Sequence, residues 1–360
     1  MVKNKILIVG GYGQVGKVIS KKLGELYPKD VIVAGRNFKK AKKLSEDLNN
    51  NVLPLEFDLY NTAFQNEFLK EVRLVIMCID QKNLNFVNEC SERGIKYIDI
   101  TADYEFITEI QSLENKVIKN NALFVLSVGL APGITNLLVK HAQTKIEKAK
   151  YANIYLMFGS GEKHGEAAYR WFFSNINKKF KTLENGQEEV ISNFGSPSYT
   201  KFLKPVGNRK TYRFNFSDQH ILLKNLNLDS VKTRVCYDSV FLTQMIAFFK
   251  KVGISVLLKS EKIQNYLIKF LHKFNSGSEK FSVKVDVGIN NHNPLYECYL
   301  RGNKESYITG LVATRVAQSC IEMSLPNGIF HIEELFNPQQ FIESLGKDVQ
   351  FKETTKINNN

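Results

Sequence analysis

Three glycines, Gly11, Gly13 and Gly16, stand at the Gly-x-Gly-x-x-Gly spacing directly after the apolar run Lys5-Ile-Leu-Ile-Val9. That combination points to phosphate chemistry. The first glycine permits a tight bend, the second lets a pyrophosphate approach the main chain, and the third lets the following helix lie close to the strand. A helix starting near Gly13 turns free backbone N–H groups toward an anion. Gly11, Tyr12, Gly13, Gln14 and Val15 are therefore the expected cradle of a dinucleotide. Such glycines also occur in ordinary turns. Here they sit between a strand and a helix whose apolar stripe is Val15, Val18, Ile19, Leu23 and Leu26, and that context favours the cradle.

Cofactor choice is read at the end of the next strand, Asp30-Val-Ile-Val-Ala-Gly-Arg36. An acidic residue there would bind a ribose 2′-hydroxyl, but the positions are Ala34, Gly35, Arg36 and Asn37. Arg36 can pair with a 2′-phosphate and stack on the adenine, so NADP is the expected cofactor and NAD the alternative. Asp58 follows the alternating Leu53, Leu55 and Phe57, and either caps a turn or accepts from the adenine edge.

These residues need a scaffold, and the chain supplies strands alternating with amphipathic helices. Helices are expected over Ala41, Leu44 and Leu48, over Ala63, Phe64 and Phe68, over Leu84, Val87 and Cys90, and from Phe106 to Lys119. Val72 to Ile79 is apolar apart from Arg73, like a strand buried on both faces of a parallel sheet, so Cys78, Ile79 and Asp80 fall at its carboxyl end. Ile95 to Ile100 leads into Thr101-Ala-Asp-Tyr104, and Leu123 to Val128 into Gly129-Leu-Ala-Pro-Gly-Ile-Thr-Asn136. Pro132 suits a first helical turn, and Gly133 removes a side chain near a ligand. The expected fold is α/β: an N-terminal Rossmann doubly wound parallel sheet, then a central α+β substrate or dimerisation domain. In that domain Phe281, Val283, Val285 and Val287 alternate, as do Tyr296, Cys298 and Leu300, with Asn290-Asn-His-Asn293 turning between them. The expected boundaries are 1–130, 131–305, C-terminal helices returning to the first domain over 306–345, and a frayed tail over 346–360.

With 360 residues the chain has room for two domains. Its 43% apolar and 24% charged content is that of a folded chain. Residues 1–50 hold eleven Lys/Arg against four Asp/Glu, a share of the overall +13 spread over two helices instead of packed in one run. A solvated basic surface is expected, with no nucleic-acid module. Five cysteines show no metal-ligand spacing, so no metal is expected, and a reduced cytoplasmic setting fits. The first strand begins almost at Met1, which leaves no signal peptide to expect. Val240 to Leu258 is the most apolar later stretch, but Lys250 and Lys251 interrupt it. No stable membrane span is expected there; the segment is a buried helix pair or a surface-seeking helix hairpin.

The chain resembles the saccharopine dehydrogenase-like (saccharopine reductase-like) family. The resemblance rests on Val9-Gly-Gly-Tyr-Gly-Gln-Val-Gly16, Ala34-Gly-Arg36, Tyr97-Ile-Asp-Ile-Thr-Ala-Asp-Tyr104, Gly129-Leu-Ala-Pro-Gly-Ile-Thr-Asn136, and the late Tyr307-Ile-Thr-Gly310 with Gly328 and Glu333-Glu334. It covers the first 140 residues strongly and the last 60 moderately; the segment at Gly129 is the most specific. It implies NAD(P)-linked chemistry at a carbon–nitrogen centre of an amino-acid derivative, in a homodimer. It also puts Thr101 to Tyr104 beside nicotinamide and substrate. Hydride transfer needs the reacting carbon held, a carboxylate clamped and an amine proton managed. Asp103 as proton acceptor or amine ligand and Tyr104 as substrate hydrogen-bond partner are the catalytic candidates, though Asp103 is equally suited to cap a helix. Cys78, Ile79, Thr101, Ala131 and Pro132 join the cofactor contacts, and Gly133 and Arg170 the substrate contacts. His164, Trp171, Arg209 and Arg213 are longer shots, and His141 reads as an ordinary helix residue. The competing class is a non-catalytic or vestigial NADP-binding structural or regulatory protein.

Overall fold

The computed structural model describes residues 3–61, 65–184, 186–273, 277–290 and 293–356. The chain divides into two compact units, residues 1–134 with 306–336 and residues 135–305 with 337–360. The first unit begins with β1 (Lys5–Val9), α1 (Gln14–Leu26), β2 (Val31–Gly35), α2 (Phe38–Asp47), β3 (Val52–Glu56) and α3 (Gln65–Phe68). It continues with β4 (Val72–Met77), α4 (Asn85–Glu92), β5 (Lys96–Asp99), α5 (Tyr104–Gln111), α6 (Glu114–Lys119) and β6 (Leu123–Leu126). Ala63 and Phe64 lie outside the described residues. The single helix expected from Phe106 to Lys119 is two helices, because the chain turns at Ser112 and Leu113 and Leu113 flanks α6.

The second unit runs through α7 (Thr135–Lys145), β7 (Tyr151–Phe158), α8 (Glu166–Asn175), the hairpin β8 (Lys179–Glu184) and β9 (Gln187–Ser192), β10 (Gly195–Lys201) and β11 (Asn208–Arg213). Then come α9 (Asp218–Asn225), β12 (Ser230–Tyr237), α10 (Val240–Lys251), α11 (Glu261–Lys273), β13 (Lys280–Gly288) and β14 (Tyr296–Asn303). The chain next returns to the first unit with α12 (Glu305–Glu322), β15 (Gly328–His331) and α13 (Ile332–Leu335), and ends in the second with α14 (Pro338–Ser344) and β16 (Val349–Thr355).

In the first unit the strand order is β15-β6-β5-β4-β1-β2-β3, and every pairing is parallel. Order β3-β2-β1-β4-β5-β6 is that of a Rossmann sheet, whose strand order reverses between β1 and β4. Ile6 to Val9 and Leu74 to Met77 are at most 1% exposed, as strands covered on both faces must be. β15 extends the sheet. The sequence around Pro326-Asn-Gly328 reads as a turn, and four residues are too few to show a period; Ile329 is held by its N–H donating to the Glu114 carboxylate at 2.8 Å. α12 packs flat on α1 because position 310 has no side chain: a Cβ there would lie 2.7 Å from Val18. Its neighbour Thr309 accepts from the Leu130 N–H at 3.3 Å. The late Thr309-Gly310 pair therefore fixes the returning helix and the turn after β6.

The second unit is built on a mixed sheet, β10-β11-β12-β7-β13-β14-β16, in which only β12 and β7 run parallel. Val283, Val285 and Val287 form its apolar face, at no more than 1% exposure. The expected frayed tail is, over Val349–Thr355, the edge strand beside β14. Val349 is buried, while Gln350, Lys352, Glu353, Thr354 and Thr355 are exposed, which is why the segment reads as a polar tail. On the opposite face the Lys284 ammonium, 4% exposed, lies 2.9 Å from Asp286 and 3.0 Å from Glu297, both about as buried.

At the start of α9 the Asp218 carboxyl is fully buried and accepts from Thr233 at 2.7 Å. Burial outweighs that bond and pushes its pKa from 3.8 up to about 6. Between these values the folded state holds the extra proton, so stability falls as pH rises through that window and stays lower above it. Asp218→Asn is therefore expected to raise stability at pH 8, by up to about 3 kcal/mol, with the gain vanishing near pH 4. Denaturant midpoints at the two pH values check this; a gain of equal size at both would mean that the carboxylate charge is not what costs stability.

Candidate functional site

The chemistry gathers at the carboxyl ends of the first unit's strands. The turn after β1 is built as its glycines demand. Gly10 has φ +81°, and Gly13 donates to the Gly10 carbonyl at 2.9 Å and stands as the N-terminal flank of α1 with no side-chain cap. Gly13 and Gln14 are exposed, so the first N–H groups of α1 point to a surface where no side chain covers them. A Cβ at Gly16 would lie 2.3 Å from the Gly10 carbonyl oxygen and 2.7 Å from the Gly11 Cα; one at Gly11 would meet Val33 at 3.0 Å. Ser20 reaches back from α1 to donate to the Gly11 carbonyl at 3.0 Å. The turn is thus a cradle of main chain kept open by missing side chains, and it fits a dinucleotide pyrophosphate.

Beside it, Tyr12 lies across the end of β2. Its hydroxyl accepts from the Asn37 N–H at 3.1 Å, and a Cβ on Gly35 would meet that hydroxyl at 2.5 Å. The sequence names Tyr12 for its place in the loop; the signal that its ring packs over the end of β2 is Gly35, a strand-end glycine where a Cβ would meet that ring. Arg36 follows, exposed and engaging no carboxylate among the described residues. Asn37 caps α2, accepting from the Lys40 N–H at 3.0 Å. Asp58 caps a turn, its carboxylate accepting from the Tyr60 N–H at 3.1 Å.

The loop after β4 touches the glycine turn, since a Cβ on Gly10 would meet the Ile79 side chain at 2.6 Å and the Cys78 carbonyl at 3.4 Å. Burial and the nearby Asp99 push the Cys78 thiol up, which favours its protonated form. At the end of β5, Asp99 is 1% exposed and accepts from Gln81 at 3.1 Å, from the Tyr97 hydroxyl and from the Thr101 N–H at 2.8 Å. Burial lifts its pKa to about 6. Sequence reasoning passed over Gln81 and Asp99; their sole signal is a carboxylate at a strand end next to the chosen loop. Thr101 in turn accepts from the Asp103 N–H at 3.2 Å. Asp103 caps α5, one oxygen accepting from Glu105 at 3.0 Å and Phe106 at 3.2 Å. Surrounding protein and the neighbouring Asp103 raise the Asp80 carboxyl.

After β6 the Gly129 segment departs from expectation. Ala131 and Pro132 are extended, joined by a cis peptide bond, and α7 starts only at Thr135; Pro132 precedes the helix instead of opening it. Gly133, at φ +135°, adopts a conformation that side-chain-bearing residues avoid. Ser127 donates to or accepts from His331 Nδ1 at 2.8 Å, while Gln111 meets Nε2 at 3.0 Å. Burial lowers the His331 pKa to about 4, leaving a neutral ring that ties β15 to β6 and α5.

In the second unit the candidates are held by their neighbours. Arg170 bonds to Glu166 at 2.6 Å and to Asn265 at 2.5 Å, an exposed helical pair. His141 is buried against Glu353 at 2.7 Å, the ordinary helix role expected of it. Arg213 is buried with Glu184 and Gln219, Arg209 bonds the Asn208 carbonyl, and Trp171 packs on Phe214 and Phe216. His164 lies 3.3 Å from Glu305, whose backbone N–H donates to Glu162; ligand atoms of this His and the two carboxylates lie within 4.8 Å of one another, and burial with the Glu162 charge raises the Glu305 carboxyl against the pull of His164. All five cysteines are free. No helix among the described residues is long and apolar enough to cross a membrane.

Residues 6–128 match the protein family described as saccharopine dehydrogenase NADP binding domain. Among curated proteins no sequence matches. Among solved structures, apo saccharopine dehydrogenase (L-Glu forming) from Saccharomyces cerevisiae superposes at TM-score 0.68 and 13% identity, over 98% of this chain and 100% of that one. DAP dehydrogenase of C. glutamicum in complex with DAP gives TM-score 0.47 at 12% identity, over 96% and 98%. At such identities the first of these speaks for the two-unit fold and the second carries no weight.

Proposed function

We propose that the chain, whose residues 6–128 match the saccharopine dehydrogenase NADP binding domain, acts as an NADP(H)-dependent dehydrogenase or reductase at a carbon–nitrogen centre of an amino-acid derivative. The observation that carries this reading is the open backbone cradle from Gly11 to Val15 at the uncapped start of α1. Gly11, Tyr12, Gly13, Gln14 and Val15 would hold the pyrophosphate and Arg36 the 2′-phosphate, with Cys78, Ile79, Thr101, Ala131 and Pro132 lining the remainder. When bound, the nicotinamide supplies or accepts hydride. Asp99 sets the position of Thr101, and Thr101 that of Asp103. Asp103 keeps its second oxygen, Oδ2, for an amine or its proton while Oδ1 caps α5, and the Tyr104 hydroxyl and Gly133 face substrate. Arg170 would bind a substrate carboxylate only by leaving Glu166. Homodimerisation through the second unit and a cytoplasmic location belong to this reading, and light scattering checks the former.

A second reading, a dinucleotide-binding protein without turnover, is favoured by one observation: Asp103 and Arg170 each already fill a structural role. Titration and assay separate the two. NADPH is expected to bind more tightly than NADH, and Arg36→Glu to weaken NADPH by about 10- to 100-fold, the worth of a charged hydrogen bond. Equal affinities before and after that change would defeat the role of Arg36. The absorbance of NADP(H) is then followed with L-lysine, saccharopine, related amino acids and imine precursors. Turnover that falls in Asp103→Asn and Tyr104→Phe at unchanged NADPH affinity supports the enzyme; tight NADPH binding with no turnover across the panel supports the binder.

A further inference from the structure

Away from the nucleotide site, within the second unit, Glu162, His164 and Glu305 bring one ligand atom each within 4.8 Å of the others. Glu305 stands 141 residues beyond His164, so no short motif reveals the set, and the cysteine spacing that argues against a metal is silent on it.

Both halves of the cluster are anchored. Glu162 and His164 ride on the loop between β7 and α8. There the Gly161 N–H donates to the Ser278 carbonyl at 2.8 Å, and a Cβ at Gly161 would lie 2.3 Å from the Gly277 carbonyl oxygen. Asp238 holds the same loop, accepting from the Ser160 N–H at 2.9 Å and from the Ser278 hydroxyl at 2.7 Å. The His164 ring meets Tyr169 edge to face at 5.7 Å. Glu305 is the first residue of α12, and its N–H donates to Glu162 Oε2 at 2.6 Å. Hydrogen bonds of that kind orient ligating carboxylates.

Distances separate a ligand set from an ordinary ion pair. His164 Nδ1 stands 3.3 Å from Glu305 Oε2, beyond the about 2.7–2.9 Å of a charge-assisted hydrogen bond. Two ligands at about 2.1 Å from one zinc ion, set at the tetrahedral angle, are about 3.4 Å apart. One dication would balance both carboxylates while His164 stays uncharged, in a setting where Glu162 is 4% exposed. An imidazole nitrogen beside two carboxylate oxygens suits zinc, whereas calcium and magnesium take oxygen ligands. Three protein ligands leave a fourth position for water.

We propose that Glu162, His164 and Glu305 bind a zinc ion that clamps the loop after β7 to the start of α12. Full-length protein stripped with EDTA is titrated with zinc sulfate against a chromophoric chelator, without NADPH, so the result is independent of the reading of the nucleotide site. One zinc per chain is expected at micromolar or tighter affinity in the presence of millimolar magnesium, with a rise in melting temperature. His164→Ala and Glu305→Gln should each weaken zinc by more than about 100-fold and remove that rise. Cobalt(II) in place of zinc should give a visible spectrum without a thiolate charge-transfer band, which separates this site from the five free cysteines. Zinc binding weaker than micromolar in the parent protein overturns the proposal, as does a cobalt spectrum of thiolate character. Zinc held equally well by the two variants, folded by circular dichroism, overturns it too. The first two readings use the parent protein and decide the question even where a variant fails to fold.

Discussion

Gly16→Ala is expected to remove NADPH binding and loosen the first unit together. The added Cβ would sit 2.3 Å from the Gly10 carbonyl oxygen and 2.7 Å from the Gly11 Cα, both main-chain atoms that no rotamer change can clear. Either α1 shifts away from β1 or the turn opens, and both move the N–H groups that the pyrophosphate needs. Overpacking of this sort costs about 1–3 kcal/mol of stability. Losing two backbone bonds to a charged ligand, at about 1.5 kcal/mol each, lowers affinity by more than about 100-fold. Gly13→Ala is the contrast: its Cβ would lie 3.1 Å from the same carbonyl and point into the cradle, so affinity should fall with far less loss of stability. Fluorescence titration with NADPH and thermal melts of both variants read the difference. A Gly16→Ala protein that binds NADPH as tightly as the parent would take this turn out of the nucleotide site.

Lys284→Met should cost the second unit about 3–5 kcal/mol, the usual consequence of removing one partner from a buried ionic group. The Lys284 ammonium stands between Asp286 and Glu297, with the rings of Tyr155 and Tyr299 about it at 5.5 and 5.7 Å. Without it two carboxylates share one water-poor face, and only Lys356, at 2.7 Å from Glu297, remains to offset them. Burial already holds the Asp286 pKa up to about 6 against the pull of Lys284. The loss should therefore be largest at pH 8 and shrink toward pH 5 as that carboxyl takes up a proton. Urea unfolding at both pH values checks it, and a loss below about 1 kcal/mol at pH 8 would mean that solvent reaches this face freely.

That buried charge marks where the sequence stops being informative. Alternation of Phe281, Val283, Val285 and Val287 identifies the strand and its apolar side correctly, but the same rule assigns Lys284 and Asp286 to solvent, and nothing local shows that the other side is covered. The nucleotide half was legible because its constraint is local: glycines at fixed offsets after an apolar strand fix a turn, a helix start and a sheet direction together. The turn-capping options for Asp58 and Asp103 could be named but not decided, because a carboxylate before a helix looks the same in sequence whether it caps or catalyses. Gln81 and Asp99 acquire their meaning only across strands, through the sheet order that places the ends of β4 and β5 side by side. β15 and β16 were missed for different reasons, one too short to show a period and the other too polar on its open side.

The nucleotide-binding sheet is written in two instalments, with its edge strand and the helix lying on α1 encoded after residue 305. During synthesis, the first six strands therefore emerge long before their last neighbour, and β6 waits with an unpaired edge while some 200 residues are translated at about 5–20 per second. A nascent chain in that interval exposes a pairing template of the kind that recruits other chains. Cellular production of this protein should depend on how well that waiting period is shielded, and a premature stop anywhere in the second unit would leave an adhesive fragment instead of a smaller working domain.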